Sequence, residues 1–311
     1  MKRIIFFISL LSFILLSIPF PCSAASIPKI SAKSACLYDI DAESFIISKE
    51  MNMRLPMAST TKIMTALLAI EQCNLDEVIS VPREAVGVEG SSVYLREGDL
   101  ISVKNLVYSV LLQSANDAAE ALAIYISGDV HSFADLMNKR AAEIGLSDTS
   151  FENPHGLDSE NHYTTAHDLA ILTSVAVKNE VFLQISSTYK YEFDLSESKR
   201  LLVNHNKLLR TYPDAYGVKT GYTKKSGRCL VSYASREGKN LICVTLDAPN
   251  DWSDHKNMLD YGFNASRLTS TNSSKFIADM ANEEKLQWKK SDCKNLYQTQ
   301  DLCQDVPQRK K

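Results

Sequence analysis

The sequence predicts an α+β fold, a mainly antiparallel sheet flanked by helices with an all-helical lobe beside it. Three observations predict it. Strand-like stretches lie near the start, the middle repeats apolar residues at helical spacing, and strand-like stretches return beyond Asp214. Such a chain folds most simply when strands from both ends share one sheet and the helical middle packs against it. A cleft between lobe and sheet edge follows, and small-molecule sites favour such places.

In chain order, "ACLYDIDAESFIISKE" (35–50) reads as two short strands around a turn at Asp39 to Glu43. From Ser59 to about Cys73, Ile63, Met64, Leu67, Leu68 and Glu71 repeat at the spacing of one helix stripe, predicting a buried central helix that Ser59 opens. Residues 102–129 hold two helical runs. Ser102 caps the first, whose stripe is Val103, Leu106, Val107, Val110 and Leu111, and Gly128 stops the second. Ser114-Ala115-Asn116 falls at their junction. Two further helices are expected at 131–145, closed by glycine, and at 164–179. Then "AYGVKTGYT", "GRCLVSYAS" and "NLICVTLDA" read as strands, with "REGK" as a turn between the last two. After about Ser266 the chain turns polar, with one helix expected at about 273–290.

With 311 residues, 45% hydrophobic and 23% charged, the chain has the composition of a globular protein with one large domain, or a domain with an appendage. Its first residues differ. Met1-Lys2-Arg3 is followed by the uncharged run "IIFFISLLSFILLSI" and by small residues at "CSAA", the pattern of a secretory signal cleaved after Ala24. An uncleaved anchor helix is the competing reading. Cleavage at Ala24 removes Lys2 and Arg3 and no acid, taking the formal charge from −3 to −5, which argues against nucleic acid as a partner. The expected organisation is a signal peptide (1–24), a catalytic domain (25–266) and a short polar tail (267–311), working outside the cytoplasmic membrane. Whether the tail touches membrane is left open.

Seven cysteines include no C-x-x-C pair and no histidine at metal-ligand spacing, so neither a zinc site nor any other cofactor is expected. Cys36, Cys73, Cys229 and Cys243 read as small core residues. Cys293 and Cys303 lie close together in the tail, with their pairing open.

Three short motifs carry the chemistry. Ser59 and Lys62 are one helical turn apart, which brings their side chains to one face. Ser59 reads either as a helix cap or as a nucleophile whose proton Lys62 accepts; desolvation and a nearby cation would lower the lysine pKa enough for that. The spacing alone is weak, since Ser-x-x-Lys occurs at six places in the chain. Ser114 and Asn116 put a hydroxyl and a carboxamide at a junction where both can face a cleft, although a polar turn would look the same. Lys219-Thr220-Gly221 ends a strand with a fixed positive charge, a hydroxyl and a residue without a side chain. Lys219 and Thr220 could hold a carboxylate, Gly221 lets backbone approach a ligand, and an edge strand could pair with an extended peptide. An exposed strand-end lysine is the plain alternative.

Taken in order, Ser-x-x-Lys, Ser-x-Asn and Lys-Thr-Gly resemble the set of penicillin-binding proteins and related β-lactamases. "MASTTKIMTALLA", "LLQSANDAAEALA", "NPHGLDSENHYTTAHDLA", "GVKTGYTKKSGRCLV" and "DHKNMLDYGF" extend the likeness to the serine-type D-alanyl-D-alanine carboxypeptidases, the low-molecular-weight penicillin-binding proteins. The resemblance covers about residues 30 to 263. It implies the β-lactamase/transpeptidase-like fold and cleavage of the terminal D-alanine from peptidoglycan stem peptides ending in D-Ala-D-Ala. It implies β-lactam antibiotics as covalent inhibitors. By the same likeness Ser59 is the nucleophile, Lys62 the proton acceptor and Ser114 a proton relay. Asn116 holds the substrate amide, Lys219 and Thr220 bind the terminal carboxylate, and the N–H groups of Ser59 and Tyr222 form the oxyanion hole. His155, in the "NPHGL" loop, reads as structural. Relatives commonly carry a β-rich second domain of about a hundred residues, which is expected to be absent or vestigial here. The alternatives are a β-lactamase, for which Glu152 stands near the required spacing, a DD-endopeptidase, or an idle wall-binding or signalling protein.

Overall fold

Strands from the two ends of the chain meet in one sheet. The computed structural model describes residues 26–264, Glu197 excepted. The expected signal peptide, the tail with its 273–290 helix, and Cys293 and Cys303 lie outside the described residues. β1 (Ser34–Asp39) and β2 (Ser44–Lys49) form the first hairpin, as expected, and two small hairpins follow from β3 (Val78–Ser80) with β4 (Leu100–Ser102) and β5 (Lys190–Leu195) with β6 (Ser198–Val203). β7 (Ala215–Thr223), β8 (Gly227–Arg236) and β9 (Lys239–Leu246) complete a five-stranded sheet of order β2-β1-β9-β8-β7, antiparallel throughout. β7, the strand that carries Lys-Thr-Gly, is therefore an edge strand.

The central strands are apolar almost without interruption because both faces are covered. Cys36, Val231 and Ile242 face the helical lobe, whereas their neighbours Leu37, Leu230 and Cys243 face a second cluster with Met258, Leu259 and Phe263. Those last three belong to a helix over residues 251–264, the last among the described residues. Its His255, fully enclosed, sits between Ser232 Oγ at 2.6 Å and Thr245 Oγ1 at 3.0 Å, pinning the helix to β8 and β9.

Helix α1 (Lys62–Gln72) runs through the lobe, with α2 (Val103–Tyr108), α3 (Asn116–Ser127), α4 (Val130–Ile144), α5 (Ala166–Lys178) and α6 (Glu180–Ser187) packed in the same lobe. Two expectations for α1 need correcting. The eight residues Lys62 to Ala69 are all buried, as in a helix apolar on every side, so burial is not confined to one stripe. Glu71, assigned to that stripe, is instead at the surface, bonded to Arg140 at 2.8 and 3.0 Å. Ser59 also does not open the α-helix. It lies in a preceding 3-10 turn, Ala58–Thr61, where the Thr60 and Thr61 hydroxyls donate to the carbonyls of Met57 and Ala58.

The Ser102 cap and the Gly128 stop hold as read. Between them α2 widens into a π turn, Ser109–Gln113, and Ser114 breaks the run with a left-handed φ of 60°. Helix α5 lies against β1 and β9, fixing lobe to sheet. α6, the β5–β6 hairpin and the 251–264 helix were not anticipated. Cys36, Cys229 and Cys243 are buried and free, while free Cys73 is only half-buried. Among the described residues no single helix is long and apolar enough to cross a membrane.

Candidate active site

The three motifs converge where α1, α3 and β7 meet. Lys62 Nζ lies 3.1 Å from Ser59 Oγ and donates to Asn116 Oδ1 at 2.6 Å and to the His155 carbonyl at 2.5 Å. The lysine is wholly enclosed. Burial holds its pKa well below the usual lysine value, the Lys219 charge pushes it further down, and Asp117 partly opposes both.

Lys219 Nζ reaches across from β7 to donate to Ser114 Oγ at 3.0 Å, and to its neighbour's carbonyl, Thr220 O, at 2.9 Å. The alternative of an exposed strand-end lysine falls, since Lys219 lies inside β7 and not at its end. It is 1% exposed, and burial pushes its pKa down to about 7. Thr220 and Gly221 are half-buried beside it, and the Tyr222 side chain stands in solvent.

Gly221 shows why this strand lacks a side chain there. A Cβ at that position would fall 3.0 Å from Ser59 N and 3.1 Å from Ala58 Cβ, so the strand could not lie so close to the 3-10 turn. Gly156 presses on the same turn from the other side, where a Cβ would collide with the Ala58 carbonyl; its φ of +88° suits glycine alone. Ala58 itself carries a left-handed φ of 46°, immediately before Ser59. Backbone strain of this kind persists where surrounding structure over-determines it.

A third segment is stitched to the site. The buried Asp117 carboxylate accepts from Ser92 Oγ at 2.6 Å, Val93 N at 3.2 Å and Leu95 N at 3.0 Å. Asn116 N donates to Ser91 O at 2.7 Å, and its side-chain amide to Glu89 O at 2.5 Å. Together these hold the 89–95 loop as one wall of the cleft.

That cleft encloses about 350 Å³. Ser59, Ser91, Ser114, Thr220, Gly221 and Tyr222 line one part of it. His205, Lys207, Arg228, Asp251 and Trp252 line the rest. All eight residues expected at the site are in or beside this cleft. Sequence reading missed the His155 carbonyl, Gly156, Asp117 and the second part of the cleft. The glycine of "NPHGL" was the available signal for the first two. Glu152, at the spacing of a β-lactamase glutamate, is occupied within its own loop: it accepts from Asn161 N at 3.0 Å and from Ser159 Oγ. The His155 ring faces Glu120 at 3.4 Å, away from the role its carbonyl plays.

Chemically, the arrangement puts a hydroxyl, an amine with lowered proton affinity and an open strand edge in one cleft. Comparison with known proteins agrees with that chemistry. The family model for D-alanyl-D-alanine carboxypeptidase (peptidase family S11) matches residues 22–250. The D-alanyl-D-alanine carboxypeptidase DacF of Bacillus subtilis is 36% identical over 241 residues, 75% of this chain and 62% of that protein. DacB2 of Mycobacterium tuberculosis, also named a D-alanyl-D-alanine carboxypeptidase, is 31% identical over 78% of this chain and 86% of its own. The crystal structure of the Streptomyces K15 DD-transpeptidase superposes with a TM-score of 0.74 at 31% identity, covering 77% of this chain and all of that one. The chain thus spans less than two thirds of the Bacillus relative but all of the Streptomyces structure. It belongs to the D-alanyl-D-alanine carboxypeptidase family, with that family's antiparallel sheet and helical lobe.

Proposed function

We propose that this protein is a serine-type D-Ala-D-Ala carboxypeptidase that releases the terminal D-alanine of peptidoglycan stem peptides through an acyl-enzyme on Ser59. The single observation that carries this reading is the surroundings of the Lys62 amine. Two of its three close partners, Asn116 Oδ1 and the His155 carbonyl, can only accept. A neutral amine has two N–H donors and one lone pair. With both donors spent on those oxygens, the lone pair faces the Ser59 hydroxyl 3.1 Å away. Burial and the Lys219 charge favour that neutral form.

Lys62 then takes the Ser59 proton as the oxygen attacks the carbonyl between the two D-alanines. The N–H groups of Ser59 and Tyr222 receive the developing oxyanion, where one such donor is worth ~3 kcal/mol. Ser114 passes a proton to the departing amine, and Asn116 holds the substrate amide. The substrate lies along β7, whose outer edge has no strand partner among the described residues. Water attacks the acyl-enzyme with Lys62 again as base. β-Lactams acylate Ser59 by the same route. The basic start and uncharged run at the N-terminus support action outside the cytoplasm.

D-Alanine release from a synthetic peptide ending in D-Ala-D-Ala tests the reading, with Ser59→Ala as control. Wild type is expected to release D-alanine and to be tagged covalently by a fluorescent penicillin, and the variant to do neither. Equal release by both proteins would refute the assignment.

A further inference from the structure

A second cavity, of about 540 Å³, lies between the turn that leads into β4 and the tip of the β5–β6 hairpin. Arg96 and Asp99 line it from the turn, and Leu195, Ser196, Ser198 and Arg200 from the hairpin. None of these six lines the cleft that holds Ser59. Its volume falls in the range of small-molecule sites, about 300–1,000 Å³.

The hairpin register makes Arg200 unusual. Tyr191 pairs with Leu202, Phe193 with Arg200 and Leu195 with Ser198. Opposed residues of an antiparallel pair share a face, so Arg200 stands on the face of the buried Phe193, Leu195 and Leu202. Glu192, Asp194 and Lys199 take the other, solvated face. An arginine on an inward face ordinarily has a carboxylate partner, because burying a charge unpaired is costly. Arg200 makes no ion pair among the described residues, and its Nε is buried without a hydrogen bond. Arg96, exposed across the cavity, makes no ion pair either, since the nearby Glu97 and Glu192 bond to Arg83 and Lys199.

The one acid lining the cavity is already engaged. Asp99 accepts from Ser196 Oγ at 2.7 Å and from Arg96 N at 2.9 Å, so it ties the turn to the hairpin. Two guanidinium groups thus meet one committed carboxylate. Their forks match the oxygens of a phosphoryl group, and two of them balance the two charges of a monoester. Leu195 adds apolar wall for a carbon skeleton.

We propose that this cavity is a binding site for a small phosphate monoester, held by Arg96 and Arg200. The site is separate from the catalytic cleft and does not depend on the carboxypeptidase reading.

Calorimetric titration of the full chain at low salt tests it with three probes: glycerol 3-phosphate, inorganic phosphate and glycerate. Glycerol 3-phosphate is expected to bind saturably at one site, more tightly than inorganic phosphate and far more tightly than glycerate. Arg200→Met keeps the inward volume and removes the charge. It should weaken binding about tenfold to a hundredfold, the worth of a charge-assisted hydrogen bond, while melting no lower than wild type. Arg96→Ala, at an exposed position, should weaken binding in the same direction without touching the fold. Arg228→Ala, in the catalytic cleft, should leave it unchanged. Four results overturn the proposal: no saturable binding of glycerol 3-phosphate, binding unchanged in both Arg200→Met and Arg96→Ala, binding lost in Arg228→Ala, or equal affinity for inorganic phosphate. If Arg200→Met fails to fold, Arg96→Ala alone decides.

Discussion

Two parts of one cleft use the same type of residue in opposite ways. At the inner part, Lys62 and Lys219 are sealed, and each side-chain nitrogen is held by fixed oxygens. At the outer part, Lys207 and Arg228 are exposed, and Arg228 makes no ion pair among the described residues. Burial makes a cation reluctant to stay charged, which suits proton transfer. Exposure leaves its charge intact and its geometry adjustable, which suits holding an anion. Position relative to the lobe, more than residue type, decides the role.

The largest effect comes from breaking the inner part. Lys62→Ala should cut acylation by a penicillin about a thousandfold, the middle of the range for a general base, while leaving the fold intact enough to measure by stopped-flow labelling. In wild type the acylation rate should rise with pH and level off well below the ordinary lysine value of 10.5, because the neutral amine is the active form. A rate that climbs until pH 10 would break the contrast between the two parts.

Gly156→Ala probes the same part without altering any charge. The added methyl meets the Ala58 carbonyl and forces a positive φ on alanine. It is expected to cost on the order of 2 kcal/mol in denaturant unfolding and to slow acylation by shifting the turn that carries Ser59.

The smallest effect belongs to a buried group outside the cleft. His255 is held neutral, with burial pushing its pKa from 6.5 down to about 3. The unfolded chain takes up the proton first as pH falls. The stability it contributes is therefore complete above pH 6.5 and lost progressively toward pH 3. His255→Gln should flatten that part of the stability–pH curve, measured by urea unfolding, and leave D-alanine release at neutral pH unchanged. A change in release would mean that buried groups outside the cleft also tune the chemistry.

Much of this was legible in the sequence. The β1–β2 hairpin, the two runs broken at Ser114 and the final strands all show their period and their stop signals plainly. The site residues were legible through side-chain chemistry in order along the chain. What escaped has physical reasons. The His155 carbonyl is main chain, and no side-chain motif announces a carbonyl. Asp117 reads as one more acid on a helix until the fold brings the 89–95 loop to it. "KYEFDL", which forms β5, does alternate, but its polar half-face and neighbouring helix masked the pattern. The depth of Lys219 was not legible, because a lysine on a strand looks exposed until the lobe is packed over it.

The bond between Lys219 and Ser114 joins positions 105 residues apart, and that between Lys62 and Asn116 joins positions 54 apart. No short fragment of the chain can assemble such a centre. If the proposed acylation of Ser59 holds, labelling by a penicillin therefore reports that the lobe has docked on the sheet.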